Sequence, residues 1–429
     1  MTDTLKYCYT SLKKANIDKF QCSLTKNTLY EMNMEGNDFS LIRTTIDNKL
    51  NITIIKDMRK ADISLNQIDI GIIDDAINTV IELSNTSQQD PDYDISPKQE
   101  PQQFSCGSAK PATERMYSLL KEFSKQVAAL FPKVMLAETV FSHNHSITNF
   151  INSNSVDFTT NKGIYRFSTL FSSKDSDKTS SFNYSGFSLK ELKGEILNQG
   201  SLNNLLNQSV EHLQAQTIQG KFTGDVIITP DCLDDLLYSY IATFLGDRAL
   251  ITGLSVFKDK INHLIANPKL TIHSKPLSPE IDDGYFVTAD GFAAEDITII
   301  DKGVLKSFML SLYGANKTKL ERAKNAGGNW VIEPGDKSYN DIIRSVKKGI
   351  LFARYSGGMP SANGDFSGIA KNSYYIEDGE IKYPVAEVMV SGNLAELFKN
   401  IIEISKERIC FGSSIFPYIH SSGVTISGK

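Results

Sequence analysis

The stretch over residues 356–404 constrains the fold most, because it sets a glycine-rich loop, a hairpin and a capped helix one after another. Gly357, Gly358, Gly364 and Gly368, broken by Pro360 and Asn363, make a loop whose backbone can adopt positive φ and approach another surface closely. After it, Tyr374 and Ile376 alternate up to Asp378-Gly379, and Ile381, Tyr383 and Val385 alternate away from it. That pattern predicts a tight antiparallel hairpin. Asn393 can cap a helix with Glu396 three residues on, and Leu394, Leu397, Phe398, Ile401 and Ile404 are expected on its buried face. A second hairpin is expected around Asp301-Lys302-Gly303, so the C-terminal part should be built on antiparallel sheet.

Upstream, the pattern alternates between helix and strand. Helices are expected over residues 2–16, 68–83, 114–131 and 202–216, with strands over 20–33, 39–45, 50–56, 134–142 and 163–171. Asp47-Asn48 reads as a turn between two of these strands. The expected class is α+β: an N-terminal α/β region in two stretches, 1–86 and 112–217, then a β-rich domain over 218–429. Residues 87–111, rich in Pro, Gln, Ser and Asp, read as a linker or long loop and as the first place a protease should cut.

With 429 residues and a net charge of −5, the chain has no basic footprint for a phosphate backbone. Direct nucleic-acid binding is disfavoured. No apolar run is long enough to span a bilayer, and the N-terminus has no apolar core of a signal peptide, so cytoplasmic residence is expected. The five cysteines, Cys8, Cys22, Cys106, Cys232 and Cys410, are scattered and read as reduced thiols.

The run GDFSGIAKNSYYIEDGEIKYPVAEVMVSGNLAELFKNI closely resembles the C-terminal signature of the TldD/PmbA family, the so-called modulators of DNA gyrase. SPEIDDGYFVTADGFAAEDITIIDKGVLKSFMLSLYGANKTKL, NAGGNW and GSSIFPYIHSSGVTISG follow the family order. Active members look like zinc metallopeptidases in which a helix carries HExxxH: two histidines hold zinc and the glutamate activates water. Here the matching helix reads TPDCLDDLLYSYIATFLGD, and Tyr238, Ser239 and Thr243 occupy the positions of the triad. Hydroxyl side chains are poor zinc ligands at neutral pH, and none can replace the glutamate.

The resemblance is therefore to the PmbA branch, also called TldE, which looks like the metal-free subunit paired with a TldD-type catalytic chain. It implies a partner subunit inactive alone, no cofactor, and an unfolded peptide as substrate. The partner is a HExxxH-bearing sister, or a second copy in a homodimer that binds peptides or proteins without cleaving them. Gly327, Gly328, Asn329, Gly357, Gly358, Gly364, Asp365 and Gly368 are the candidate peptide-binding or interface positions, because strand addition needs exposed backbone and little side-chain bulk. Asp365 is expected to order its loop by bonding to following N–H groups. Cys410 reads as a buried small hydrophobe. A third reading, a metallopeptidase with a non-standard site, would use His143 and His145 or the acidic pairs Asp282-Asp283 and Glu295-Asp296. Surface or solvated-turn roles are expected for these, and a structural one for His420.

Overall fold

The structure is a computed structural model and describes residues 2–428. The outermost positions of the expected division, 1 and 429, lie outside the described residues. In chain order the N-terminal half runs α1 (Asp3–Lys14), β1 (Lys19–Glu35), β2 (Asp38–Lys56), β3 (Arg59–Leu65), α2 (Ile70–Thr86), β4 (Gln102–Cys106), α3 (Thr113–Leu130), β5 (Val134–Asn152), β6 (Asp157–Asp175), β7 (Lys178–Thr179), β8 (Asn183–Leu189) and α4 (Leu202–Glu211). The strands form one eight-stranded sheet in the order β3-β2-β1-β5-β6-β4, with β7 and β8 also on β6.

The strands are longer than their apolar runs because two apolar stretches on one strand serve two separate helical layers. On β1, Phe20, Cys22 and Leu24 face one cluster with Leu5, Ile52, Ile54, Ile73 and Ile77, under α1 and α2. Met32 and Met34, farther along the same face, join Leu120, Phe123, Phe141 and Phe167 under α3. The polar interval between them stays in the sheet. Asp47 and Asn48 are therefore not a turn: they pair with Asn27 and Lys26 across β1, and the Asn27 amide donates to Asp47 at 3.1 Å. The chain turns instead at Asp57-Met58, both at positive φ.

Residues 87–111 carry little apolar surface, yet they are held at every few residues. Ile95 and Ser96 are buried, and Ser96 accepts from the Asn152 amide at 2.9 Å. Gln99 exchanges hydrogen bonds with the backbone of Gly291 and Ala293. Asp90 and Asp92 pair with Lys317 and Lys319, and β4 adds to β6 in parallel. The segment is a long loop ending in the short β4, and its anchors are polar and lie far away in sequence.

The C-terminal half runs β9 (Lys221–Ile228), α5 (Pro230–Phe244), α6 (Asp247–Ile251), β10 (Ile272–Ser274), β11 (Ile297–Asp301), β12 (Val304–Leu305), α7 (Leu312–Thr318), β13 (Trp330–Ile332), α8 (Tyr339–Ser345), β14 (Lys348–Phe352), β15 (Arg354–Gly357), β16 (Asp365–Lys371), β17 (Tyr374–Glu377), β18 (Glu380–Pro384), β19 (Val388–Asn393), α9 (Leu394–Lys399), β20 (Ile401–Cys410) and β21 (Ile415–Ser427). Its thirteen-stranded sheet is mostly antiparallel, with parallel pairs β9–β14 and β13–β21. The architecture is α+β. Both expected hairpins form, at Lys302-Gly303 and Asp378-Gly379, each with positive φ at both turn residues.

Asn393 caps α9 by accepting from Ala395 and Glu396, but the helix is shorter than its apolar face suggested. Ile401 and Ile404 lie in β20, where they alternate with the exposed Ile402. Beneath the sheet, α5 buries Leu233, Leu236, Leu237, Tyr240 and Phe244 against Val226, Ile228, Phe398 and Phe416. Each such side chain is worth about 1.5–3 kcal/mol of burial, so α5 is fixed and its outer face is presented to solvent. Among the described residues, no helix is long and apolar enough to cross a membrane.

Candidate functional site

Thr229 caps α5 by accepting from Cys232, and Pro230 fits its first turn, where no amide partner is needed. The 3.6-residue period then sorts the helix into two faces. Asp231, Asp234, Asp235, Tyr238 and Ala242 share the outer one, spaced three or four apart. Tyr238 is 64% exposed.

At the C-terminal end of that face, Tyr238, Ala242 and Thr243 wall a cleft of about 520 Å³. Its opposite wall is Met359, Pro360 and Ala362, and Arg248 and Leu254 close one side. The fold thus brings together two features far apart in sequence: Tyr238 and Thr243 on α5, and the glycine-rich loop. Ser239, one step round the helix, is half-buried and is not part of the cleft wall.

Zinc does not fit this cleft. Its walls offer the hydroxyls of Tyr238, Thr243 and Thr252, no imidazole, thiolate or carboxylate, and one cation, Arg248. Nor do the described residues contain any group of three or more His, Cys, Asp and Glu side chains placed to hold a metal.

The loop itself is tied down by side chains. Asp365 accepts from the amides of Asn393 and Asn363, each at 2.9 Å, and these bonds hold its carboxyl below the usual range. The expectation of bonds to following N–H groups is corrected: Asp365 opens β16 directly opposite Asn393, so its carboxylate reaches across the sheet. Gly364 has φ +95°, and a Cβ there would lie 2.5 Å from Cζ of the buried Phe244. Gly357 and Gly368 face each other across the β15–β16 pair and leave room for the Tyr355 ring. Gly358 alone of these four has open space around it. Among the described residues, β15 is hydrogen-bonded to a strand on one side only.

Gly327, Gly328 and Asn329 do not line the cleft. They make a turn with three successive positive φ values, pinned by Tyr285 donating to the Gly327 carbonyl and by the Asn329 amide donating to Asp283 and Ser413 carbonyls.

At the N-terminal end of α5 lies a smaller cavity of about 180 Å³ that sequence reasoning missed. Arg354 lies over the Tyr184 ring at 3.3 Å and faces Asp231 and Asp234 across this cavity. Burial lowers the Arg354 pKa, and burial raises those of Asp231, Asp234 and Asp235. The i, i+3, i+4 spacing of these aspartates was the only signal for it in the sequence.

The remaining candidates have structural partners. His143 is not a surface or loop residue: it sits within β5, fully buried, with Nε2 3.0 Å from the Ser108 carbonyl oxygen. Burial keeps its pKa low. His145 on the same face bonds Asn161 at 2.7 Å. Asp283 is clamped by Lys162 at 2.6 Å, Arg166 at 2.9 Å and the Ser188 hydroxyl at 3.1 Å, tying the loop between β10 and β11 to the N-terminal sheet. Glu295 pairs with Lys324, and Asp296 accepts from the Leu277 N–H. His420 is buried beside Asp225. Cys410 is exposed, not buried, because it ends β20 at the sheet margin.

Residues 220–428 match the family model described as PmbA/TldA metallopeptidase C-terminal domain. A metalloprotease PmbA homolog of Buchnera aphidicola is 29% identical over 251 residues, 54% of this chain and 52% of that protein. A zinc metalloprotease TldD homolog of Saccharolobus solfataricus is 28% identical over 228 residues, half of each chain. Each match spans only about half of the relative's length. The crystal structure of TldE from Thermococcus kodakarensis superposes with a TM-score of 0.83 at 17% identity, covering 98% of this chain and 100% of the other. A putative modulator of DNA gyrase from Bacteroides thetaiotaomicron gives 0.86 at 21%, covering 100% of both. At such identities these two likenesses establish the shared fold. With the family model matched across the half that contains the cleft, the chain belongs to the TldD/PmbA family.

Proposed function

We propose that this chain is a metal-free, PmbA/TldE-like subunit that holds an extended peptide for a TldD-type zinc metallopeptidase. The observation that supports this reading is the cleft between α5 and the glycine-rich loop, walled by Tyr238 and Thr243, the residues that the family resemblance puts in place of zinc ligands. A peptide there would meet a shallow, largely apolar wall and, beside it, the one-sided strand β15, whose unpaired edge suits strand addition. Neither contact depends on particular peptide side chains, which is what an unfolded substrate requires. The catalytic metal and its activated water would come from the sister chain.

The test is reconstitution. The chain alone should turn over no peptide, and a mixture with a HExxxH-bearing sister should cleave an unfolded peptide faster than the sister alone. Equal rates with and without this chain would defeat the proposal. A second reading, a homodimer that binds peptides without cleaving them, is favoured if peptide binds this chain alone and the sister neither associates nor gains activity.

A further inference from the structure

The cavity at the N-terminal end of α5 is walled by charges that do not neutralise one another. Arg354 lies 3.3 Å over the Tyr184 ring, and its Nη2 donates to the Tyr184 carbonyl at 3.1 Å. Its other terminal nitrogen, Nη1, is buried and has no partner among the described residues. A charged donor left unpaired in a buried place is costly, and a bound acceptor is one explanation for it. Facing it, Asp231 accepts through Oδ1 from the Ser201 hydroxyl at 2.6 Å, and Asp234 has no ion pair or hydrogen bond among the described residues. Arg354 and Asp231 feel each other's charge, yet no hydrogen bond or ion pair joins them directly. Ser414, only 6% exposed, lines the same cavity, and its hydroxyl makes no hydrogen bond among the described residues. Phe411 supplies an apolar side.

These walls select the charge pattern of an occupant. A simple anion would be attracted by Arg354 but repelled by Asp231 and Asp234, and a simple cation would meet the reverse conflict. One small molecule that carries both charges satisfies the two sides at once. We propose that this cavity binds a small zwitterion, an α-amino acid, with its carboxylate on Arg354 and the Ser414 hydroxyl and its ammonium beside Asp231 and Asp234. Charge-assisted hydrogen bonds of this kind are the strong ones, and here they would form away from bulk water. The volume of about 180 Å³ lies below the roughly 300–1,000 Å³ of pockets that take drug-sized ligands, which suits an occupant of this size. Burial raises the Asp231 carboxyl pKa and lowers that of Arg354, so each charge lacks compensation that the ligand's opposite charge supplies. The site is at the opposite end of α5 from the Tyr238 cleft, and the inference does not rest on the function proposed above.

Equilibrium dialysis of the full chain against labelled L-alanine tests it. One alanine per chain should bind, half-saturating below ~10 mM. Unlabelled alaninamide, which lacks the carboxylate, and N-acetylalanine, which lacks the ammonium, should each compete at least about tenfold less well than unlabelled alanine. Asp234→Asn should weaken alanine binding about tenfold or more with an unchanged melt, because Asp234 is exposed and unpaired in the free chain. Arg354→Gln should weaken it as much, and because Arg354 packs on Tyr184 a melt is recorded beside it. No saturable binding to the wild type by ~10 mM would overturn the proposal. So would competition by alaninamide or N-acetylalanine equal to that of alanine, or an Asp234→Asn chain that binds alanine as the wild type does.

Discussion

Gly364→Ala is expected to cost the protein stability before it costs any function. Gly364 sits at φ +95°, where a non-glycine residue pays about 1–3 kcal/mol in backbone strain. The added Cβ would also lie 2.5 Å from Phe244, a fully buried ring packed on Tyr240 and Phe257. Overpacking of that kind costs about 1–3 kcal/mol. If the two add, the loss is about 2–6 kcal/mol, and a melting midpoint lower by roughly 2–7 °C follows for a chain of this size. Gly358→Ala is the matched control, since its Cβ would meet nothing within 4 Å and its φ is not in the positive region. It should melt within about 0.5 kcal/mol of wild type. Paired thermal and urea melts of the two variants decide the matter. Gly364→Ala melting with the wild type would refute both the strain and the packing argument, and with them the placement of the loop against α5.

Because Gly358 is open, Gly358→Val tests the peptide cleft without disturbing the fold: the melt should be unchanged, while peptide turnover by the reconstituted complex falls at least about threefold, a loss of roughly 0.7 kcal/mol. Asp283→Asn should destabilise by about 2–4 kcal/mol at pH 7, because it leaves Lys162 and Arg166 without their carboxylate. The pH dependence has a definite sign. Burial pushes the Asp283 carboxyl up, but Lys162 and Arg166 outweigh it and hold the pKa below its ordinary value. The stabilisation is therefore present at neutral pH and is lost as pH falls below about 4, so urea midpoints of wild type and variant should converge on acidification. Limited trypsin digestion should spare residues 87–111, despite Lys98 and Lys110, because Asp90, Asp92, Ser96 and Gln99 pin the segment. Early cleavage at Lys98 would show that these anchors do not hold.

Local grammar made much of the fold legible. A two-residue turn such as Asp378-Gly379 and a cap such as Asn393 act over a few residues, and they read correctly. What depended on distant partners did not. Asp47-Asn48 has the composition of a turn, yet pairing with Asn27 and Lys26 keeps it in β2. The β-branched run from Ile401 continues a helical face on paper, and the edge of β21 takes it as a strand. The same distinction governs the site. Tyr238 and Thr243 could be placed by their helix and the loop by its glycines, but their meeting across one cleft is a tertiary fact. Arg354 and Tyr184 come from different sheets, so no local pattern marks their stacking over the α5 aspartates.

On the function proposed above, this chain supplies a peptide-holding surface and no metal chemistry. The most direct measurement is elemental analysis of the dialysed chain, followed by peptide turnover with and without a HExxxH-bearing sister. The expected result is no stoichiometric zinc on this chain, no turnover alone, and turnover in the mixture above that of the sister by itself. One zinc per chain surviving dialysis, together with peptide hydrolysis by the chain alone, would contradict it.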